Sequence, residues 1–496
     1  MSPTDSPIPT QLLLWLLLGA VTTVGAGLYR RALAWPIGML SVLGATASSW
    51  VLLGQVMRHG ELRHRLAGWP APVGIELRVD LLSAFVATVI LTIATLVWLY
   101  AQTAVRRESP DQETAFYGMA LVLLLGLCGI VLTGDLFNLY VFFEVSSLAG
   151  YALMAVGSRK AVVSAFRYLL LGTLGASFYL MGIGYLYVLT GTLNMADMSA
   201  ILPQLHNNSA VLLSCALIAT GVGLKMALFP MHSWLPDAYT YASSTTTALI
   251  APIMTKVSAY VMIRLLFFVY GLDFTLEHTA VTRALCTLAA AGVVVGSTMA
   301  IAQTNVKRML AYSSIAQVAY IGIGIGLATP MALLAAMLHI MNHAVMKSCL
   351  FLITGGIALS TGRTQVQEFS GLGRKMPWTF AAFTCAALAM VGVPPTAGFF
   401  SKWYLIVGGL EAGAWGMVAL IIASSLLTAV YFFRILERIY TEPAPADTVA
   451  APGLGTQVPA LALAIALIVL GLGNSWVVQH VLIPALPLAL QGQGGA

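Results

Sequence analysis

Long apolar segments recur along the whole chain, separated by short polar stretches. Each is long enough to cross about 30 Å of hydrocarbon as an α-helix. We predict fourteen membrane-spanning helices at residues 10–28, 32–56, 81–104, 114–133, 136–157, 162–188, 209–229, 244–270, 280–302, 309–327, 330–354, 379–408, 413–436 and 457–481. No intervening segment is long enough to form a separate soluble domain. The hydrophobic pattern therefore predicts an all-α, polytopic membrane protein.

Composition agrees with this pattern and narrows the chemistry. Of the 496 residues, 59% are hydrophobic and only 8% are charged, which lies far outside the range of soluble domains. The five cysteines stand singly in apolar segments, where we expect them to pack in the core without forming disulfides or cluster sites. We therefore expect no cofactor, no metal, and no redox or hydrolytic site in this chain.

The basic residues indicate the orientation in the membrane. The net charge is +6, and fourteen lysines and arginines fall in one set of alternate loops, whereas six fall in the other set. Because cytoplasmic loops carry the excess of basic residues, both termini are predicted to lie outside. The remaining four cations lie inside apolar segments: Lys225, Lys256, Lys347 and Lys402. The basicity thus reflects orientation and buried lysines, and we expect no nucleic-acid partner.

One of these lysines lies in the stretch around which the chain is organised, which reads GVGLKMALFPMHSWLPDAY. Placing Lys225 inside a membrane helix costs roughly 2.5 to 3.5 kcal/mol by insertion scales, so an ionisable residue there is a functional hypothesis by default. Pro230 is predicted to end the helix. His232 and Asp237 follow as accessory titratable groups.

Glu144 is the candidate partner of Lys225. It lies nine residues after Asp135, which marks the outer start of the fifth predicted helix, and nine residues span about 13 Å in a helix. That depth is near the middle of the membrane. A buried glutamate is either paired or neutral, so a neutral packing carboxyl remains the alternative.

Prolines are predicted to interrupt two further helices close to buried lysines. Pro252 precedes Lys256 by about one turn, and Pro394 and Pro395 precede Lys402 by about two turns. Broken helices are tolerated in membranes where they line a wet cavity, and paired breaks are typical of inverted-repeat transporters. For Pro252 the alternative is a simple kink with a lysine that reaches towards the membrane surface.

A polar stripe is predicted in the eleventh helix, where His339, His343 and Lys347 recur every four residues on one face. The two histidines could hold a metal or be structural. Because no cysteine or acidic residue lies nearby and a lysine continues the stripe, we favour a polar relay across the centre of the membrane. Outside the helices, the alternating residues 75–79 predict a short extracytoplasmic hairpin strand.

These motifs resemble the antiporter-like membrane subunits shared by Mrp-type cation/proton antiporters, respiratory complex I and membrane-bound hydrogenases. The resemblance covers roughly residues 81–438, and its most specific parts are TGDLFNLYVFFE, GLKMALFPMHSWLPDAY, HIMNHAVMK and GVPPTAGFFSKW. It implies fourteen helices, two inverted five-helix repeats and a central hydrophilic axis. The amino-acid sequence around Glu144, together with a lysine at position 402, is most similar to that of the D-type Mrp subunit.

The resemblance implies four regions: N-terminal helices in 1–110, a first repeat in 111–270, a second inverted repeat in 271–440 and a last helix in 441–496. It also implies a proton-transfer path through the residues Glu144, Lys225, Lys256, His339, His343, Lys347 and Lys402.

The implied function is proton translocation, with monovalent cation (Na⁺)/H⁺ antiport of Mrp type, in a bacterial-type cytoplasmic membrane with other membrane subunits. The alternative is the proton-pumping translocase subunit of a complex I-like NADH:quinone oxidoreductase or membrane-bound hydrogenase. A scaffold whose polar residues are structural is the third hypothesis. Flavin or iron–sulfur proteins that copurify with the chain would favour a redox complex, whereas small hydrophobic partners alone would favour an antiporter.

Overall fold

The structure is a computed structural model that describes residues 4–443 and 449–491. In these ranges the chain is almost entirely helical, with three short strands at one end. The strands are β1 (Thr4–Asp5), β2 (Leu62–Arg65) and β3 (Glu76–Val79). The helices are α1 (Ile8–Tyr29), α2 (Ala34–His59), α3 (Leu81–Glu108), α4 (Glu113–Leu132), α5 (Leu136–Met154), α6 (Arg159–Thr190), α7 (Met195–Ile201), α8 (Ser209–Met226), α9 (Trp234–Tyr241), α10 (Ser244–Ile263), α11 (Val281–Ala302), α12 (Val306–Leu327), α13 (Pro330–Thr361), α14 (Pro377–Val391), α15 (Ala397–Glu411), α16 (Trp415–Thr441), α17 (Leu454–Leu472), α18 (Asn474–Val477) and α19 (Leu488–Gln491).

Thirteen helical spans within the described residues are long and apolar enough to cross a membrane. The prediction of an all-α polytopic membrane protein is confirmed. The predicted span 379–408 is not one continuous helix. It consists of two 15-residue helices, α14 and α15, separated by residues 392–396. Those residues include Pro394 and Pro395, as the sequence indicates.

The centre of the bundle is formed by α10 and α13. Every residue of α10 is buried, and α13 is buried over most of its 32 residues. By contrast, α1 and α6 keep large apolar side chains exposed on one face, as expected for helices in contact with lipid. The polar residues of α10 and of the middle of α13 are therefore shielded from both water and lipid.

The predicted interruption of α10 at Pro252 is wrong. The helix continues without a break from Ser244 to Ile263, with Pro252 inside it. Proline removes a backbone donor, but neighbouring helices surround α10 on every side and hold its backbone in place. After Ile263 the helix widens to a π-helical turn over Arg264–Val269.

The break after Lys225 is confirmed, although it begins earlier than predicted. α8 ends at Met226, and Ala227 adopts a left-handed conformation with φ of 60°. The amide of Leu228 then bonds back to the carbonyl of Gly223, and the Trp234 indole donates to the carbonyl of Leu224 at 3.2 Å. These bonds satisfy carbonyls that a helix end leaves unpaired, so the break is built into the fold.

The predicted hairpin strand is confirmed in the antiparallel pair β2–β3, with β1 added in parallel. The alternation of the predicted strand fails at Glu76, which is buried together with Leu77 and Val79. Its carboxylate accepts a hydrogen bond from Asn194 at 3.1 Å, which offsets the cost of burial. The strand is therefore covered on both faces.

Charge pairs join the two strands of this hairpin and, close by, the ends of two helices. Glu61 accepts from Arg63 at 2.8 Å and from Arg78 at 2.7 Å. Burial favours a higher pKa for Glu61, but the hydrogen bonds and charges of Arg78 and Arg63 outweigh it and hold the pKa below its usual value. Nearby, Arg264 forms a bidentate pair with Asp80, the N-cap of α3, at 2.5 and 2.7 Å.

Candidate functional site

Lys225 is held among three side chains of α5. The lysine is only 5% exposed, and its Nζ donates to the Ser147 hydroxyl at 2.6 Å and the Tyr151 hydroxyl at 3.4 Å. The Glu144 carboxylate lies 3.8 Å from the same nitrogen. Glu144, Ser147 and Tyr151 are spaced by three and four residues, which puts them on one face of the helix. The predicted pairing of Glu144 with Lys225 is present in the structure.

Glu144 is less buried than the sequence indicates. Its side chain is 26% exposed, and its Oε1 completes no hydrogen bond. Its position near the middle of α5 fits the predicted depth, but that helix lies at the edge of the bundle and its outer face is open. The carboxylate therefore has Lys225 on one side and the surface of the subunit on the other.

Lys256 lies on the next helix inward and is 2% exposed. Its Nζ donates to the Ala251 carbonyl at 2.8 Å and to the Thr255 hydroxyl at 3.3 Å. Both partners belong to α10 itself, close before the lysine in the chain. Lys256 therefore turns back along α10, towards the preceding turn of its own helix.

The predicted stripe on α13 is buried throughout. His343 and Lys347 are 0% exposed and His339 is 3% exposed. Lys347 donates to the Leu310 carbonyl at 2.7 Å and makes a short contact with the Ser313 hydroxyl, both on α12. The lysine is thus held against α12.

The two histidines of this stripe differ in their contacts. His339 Nδ1 lies 2.8 Å from the hydroxyl of Ser401, the residue before Lys402. His343 has no partner at either ring nitrogen among the described residues. The rings stack at a centroid distance of 5.6 Å with an interplanar angle of 16°. His339 therefore contacts the half-helix that carries Lys402, whereas His343 hydrogen-bonds to neither His339 nor Lys347.

Lys402 closes the gap between the two half-helices. Its Nζ donates to the carbonyls of Met390 at 2.9 Å and Val391 at 3.0 Å, which are the last residues of α14. A third bond goes to the Ser425 hydroxyl of α16 at 3.1 Å. An ammonium at the C-terminal end of a helix interacts favourably with the helix dipole. The broken helix thus provides the site that stabilises the charge of this lysine.

The two accessory residues lie away from this line. His232 is half-buried in the turn before α9, with its ring stacked 5.4 Å from Phe229. Asp237 pairs with Arg167 of α6 and with Arg308 of α12, each at 3.2 Å. Asp237 therefore fastens α9 between two helices at the end of the bundle opposite the hairpin, and neither residue contacts a buried lysine.

Sequence reasoning missed the hydroxyl groups that hold the lysines. Each such lysine has at least one hydroxyl partner: Ser147 and Tyr151 for Lys225, Thr255 for Lys256, Ser313 for Lys347, and Ser425 for Lys402. For α5 a signal was available, because Ser147 and Tyr151 follow Glu144 at helical spacing. Within the described ranges, no group of three or more His, Cys, Asp and Glu side chains could hold a metal ion.

The fold and this site define a helical membrane protein with a buried row of lysines and histidines through its middle. A family profile described as NADH:quinone oxidoreductase/Mrp antiporter, TM, matches residues 133–428. The chain is 46% identical over 467 residues to NADH-quinone oxidoreductase subunit N of Desulforudis audaxviator, covering 91% of this chain and 93% of that protein. It is 31% identical over 400 residues to the D-type subunit of the Na⁺/H⁺ antiporter of Alkalihalophilus pseudofirmus, covering 80% of each.

Solved structures agree with these relatives. A chain of the membrane-bound sulfane sulfur reductase, an archaeal respiratory membrane complex, superposes with a TM-score of 0.90 at 31% identity and 96% coverage of both chains. A chain of the Mrp complex from Dietzia sp. superposes with a TM-score of 0.87 at 25% identity, covering 96% of this chain and 95% of that one. The protein belongs to the NADH:quinone oxidoreductase/Mrp antiporter membrane family.

Proposed function

We propose that this protein is a proton-translocating subunit of a multisubunit membrane complex, and that the complex exchanges a monovalent cation, Na⁺, for protons in the manner of Mrp antiporters. The observation that carries the proposal is the row of four lysines, each 5% exposed or less, that runs from Glu144 on α5 to the half-helix α15. Burying four ammonium groups is costly, and proton transfer requires titratable groups at such depths.

The first step of the mechanism is a switch between Glu144 and Lys225. An ionised carboxylate 3.8 Å away stabilises the ammonium. If the carboxylate moves away or a cation approaches it, the buried ammonium loses this stabilisation and releases its proton inward. The open outer face of Glu144 allows such a cation, or a neighbouring subunit, to reach the carboxylate.

The later steps carry the proton from Lys225 through Lys256 and Lys347 to Lys402. Each lysine acts as acceptor and then as donor, because an amine releases its proton far more readily than a guanidinium does. The hydroxyl and carbonyl partners of each lysine hold the charged form in place between transfers. Lys402 then exchanges the proton with one side of the membrane through the gap between α14 and α15.

A second candidate function is proton pumping in a complex I-like NADH:quinone oxidoreductase or related redox complex. It is favoured by the 46% identity to a quinone oxidoreductase subunit N, which exceeds the 31% identity to a D-type antiporter subunit. In that case this chain is the translocase subunit, and partner subunits carry out the redox chemistry. Both candidates use the same buried row of lysines.

The finer features of the assembly belong to this proposal. We place the protein in a bacterial-type cytoplasmic membrane with both termini outside, following the distribution of its basic residues. Two inverted five-helix repeats occupy residues 111–270 and 271–440, with flanking helices in 1–110 and 441–496. The two helix breaks, after Lys225 and before Lys402, support this arrangement because each repeat then has one.

Intact assemblies distinguish the two candidates. The complex should be purified from its native membrane through a tag on this chain and analysed by mass spectrometry together with Na⁺-dependent proton movement in proteoliposomes. Small hydrophobic partners with Na⁺-dependent proton movement support the antiporter. Flavin or iron–sulfur subunits with proton movement driven by electron transfer support the redox complex. An isolated chain with neither activity would contradict both.

A further inference from the structure

A second row of polar side chains runs beside the histidine stripe, between α12 and α16. We name it the α12–α16 polar line. Its members on α12 are Ser313, Gln317 and Tyr320, and its members on α16 are Ser424, Thr428 and Tyr431. All six side chains are buried, with exposures of 0 or 1%. Apart from Ser313, which bonds to Lys347, nothing in the proposed mechanism so far uses them.

The spacing of these residues makes the two helices complementary. On each helix the three residues are separated by four and three positions, which puts them on a single face. Tyr320 lies 2.6 Å from the Ser424 hydroxyl at one end. At the other end, Arg434 of α16 donates to the carbonyls of Ile301 and Gln303, just before α12, at 2.8 and 2.7 Å. This register places Tyr431 opposite Ser313. The helices are therefore antiparallel along this face, and spacing places Gln317 and Thr428 between the two ends.

The two ends of the line meet two lysines of the buried row. At one end, Ser313 is in short contact with the ammonium of Lys347. At the other end, the Tyr320 ring lies 5.2 Å from the Lys402 nitrogen, which also donates to Ser425 beside Ser424 at 3.1 Å. The line spans seven residues of each helix, or about 10 Å. It thus joins Lys347 to Lys402.

Several polar atoms of this line have no fixed partner. The Tyr431 hydroxyl completes no hydrogen bond, although helical spacing puts Thr428 one turn away and the register places Ser313 opposite. Both polar atoms of the Gln317 amide are likewise unpaired. Unpaired buried polar atoms are costly and need an explanation. A hydroxyl that can rotate between two neighbours is both a donor and an acceptor, which is what proton transfer along a line requires.

The histidine stripe is a poorer connection between the same two lysines. His343 bonds to neither lysine, and its ring is nearly parallel to that of His339 at 16°. The N–H bonds of an imidazole lie in the plane of its ring, so stacked rings direct them past each other. His339 reaches only Ser401. The α12–α16 polar line reaches both lysines, whereas the hydroxyls within it donate to backbone carbonyls or stay unpaired and must rotate to transfer a proton.

We propose that the α12–α16 polar line carries the proton between Lys347 and Lys402, with Tyr431 and Thr428 as its transfer groups. The inference rests on the proposed function, because it refines the route of the same proton. Ser313 receives the proton from Lys347 as it passes its own hydroxyl proton to Tyr431. The same exchange then continues through Thr428, Ser424 and Tyr320 to Ser425, whose hydroxyl lies 3.1 Å from the nitrogen of Lys402. Each hydroxyl gains one proton and loses one, so no group keeps a charge.

Tyr431→Phe tests the proposal because it removes one oxygen that makes no static hydrogen bond. The variant should assemble normally and lose at least about tenfold in coupled proton movement, measured in proteoliposomes of the whole complex. The matched control is Tyr117→Phe, which removes a buried hydroxyl that donates to the Ala101 carbonyl at 3.0 Å far from the line. The control should cost slightly more stability and leave transport unchanged.

Thr428 supplies a rescue experiment in the same assay. Thr428→Val keeps the shape and removes the hydroxyl, so transport should fall as in Tyr431→Phe, whereas Thr428→Ser keeps the hydroxyl and should restore most of it. Parental transport in both Tyr431→Phe and Thr428→Val would overturn the polar line. Lys225→Ala in the same preparation shows which proposal has failed. If Lys225→Ala abolishes transport while the two polar-line variants transport normally, only the route through the polar line is wrong. If Lys225→Ala also transports normally, the proposed function itself is wrong.

Discussion

At the scale of single residues, the site depends on what surrounds each buried ammonium. Lys225 combines a carboxylate at 3.8 Å with two hydroxyl groups, whereas Lys256 and Lys402 use mainly backbone carbonyls. Carbonyls cannot leave, but the partly exposed side chain of Glu144 can. The ability of Lys225 to alternate between two states therefore comes from Glu144.

Lys225→Arg should abolish coupled proton movement while the complex still assembles. A guanidinium keeps the positive charge but does not release its proton near neutral pH. The measurement is dye-monitored proton uptake by proteoliposomes, with the protein composition checked on the same sample. Retained uptake would mean that Lys225 acts as a fixed charge and not as a proton carrier.

Gly172→Ala should disturb the same site from outside the row of charges. A Cβ at this position of α6 would lie 1.9 Å from the Tyr151 hydroxyl and 3.4 Å from the Lys225 nitrogen, so the tyrosine must move away from the lysine. We expect a loss of activity on the order of tenfold or more from the displaced group. Gly184→Ala on the same helix is the control, because its Cβ would meet nothing within 4 Å. Equal activity of the two variants would show that Tyr151 has no part in the site.

At the scale of helices, the break between α14 and α15 determines the position of a buried positive charge, the ammonium of Lys402. The gap between α14 and α15 exposes the carbonyls of Met390 and Val391, and Lys402 donates to both. Gly392 follows in a left-handed conformation with φ of 92°, and a Cβ there would lie 3.1 Å from the Lys402 side chain. The turn and the lysine are therefore fitted to each other.

Lys402→Gln separates the structural role of this lysine from its proton transfer. The amide can still donate hydrogen bonds to the carbonyls but cannot carry a proton, so we expect normal assembly without coupled transport. Lys402→Leu should lose transport and also leave the carbonyls unpaired, at about 1–3 kcal/mol of stability. Thermal unfolding of the two complexes measures the difference. A fully active Lys402→Gln variant would reduce Lys402 to a cap of α14.

The helices also show what the sequence could and could not predict. The breaks after Lys225 and before Lys402 follow from local rules for proline, and the structure has both. The same rule predicts a break at Pro252, but this proline lies in a helix that is packed on all sides, and the tertiary contacts keep the helix continuous. The hydroxyls were harder to find, since serine and threonine in membrane helices usually bond to their own preceding turn. Tyr431 could be recognised as a candidate only once the structure had shown that α16 packs against α12.

At the scale of the whole molecule, the two ends of the helical bundle differ in structure. Strands β1, β2 and β3 gather at one end, where Asp80 and Arg264 also pair. The opposite end carries Asp237 with its two arginines. From the distribution of basic residues in the sequence, we propose that the second end faces the cytoplasm.

Thiol labelling of whole cells tests this orientation. Val73→Cys places an exposed thiol in the hairpin, and Gln112→Cys places one in the loop between α3 and α4 at the other end. A membrane-impermeant maleimide added outside should label only Val73→Cys. The native cysteines give little background, because four are buried and Cys385 is half-buried. Labelling of Gln112→Cys alone would invert the topology.

The central claim is that protons pass through the buried row of lysines, and Lys225→Ala tests it most directly. The complete assembly with this single change should be reconstituted in vesicles that contain a pH-sensitive dye, and its proton movement compared with that of the parent at equal protein content. We expect that the variant assembles and moves no protons in a coupled manner. An assembled Lys225→Ala complex with parental proton movement would contradict it.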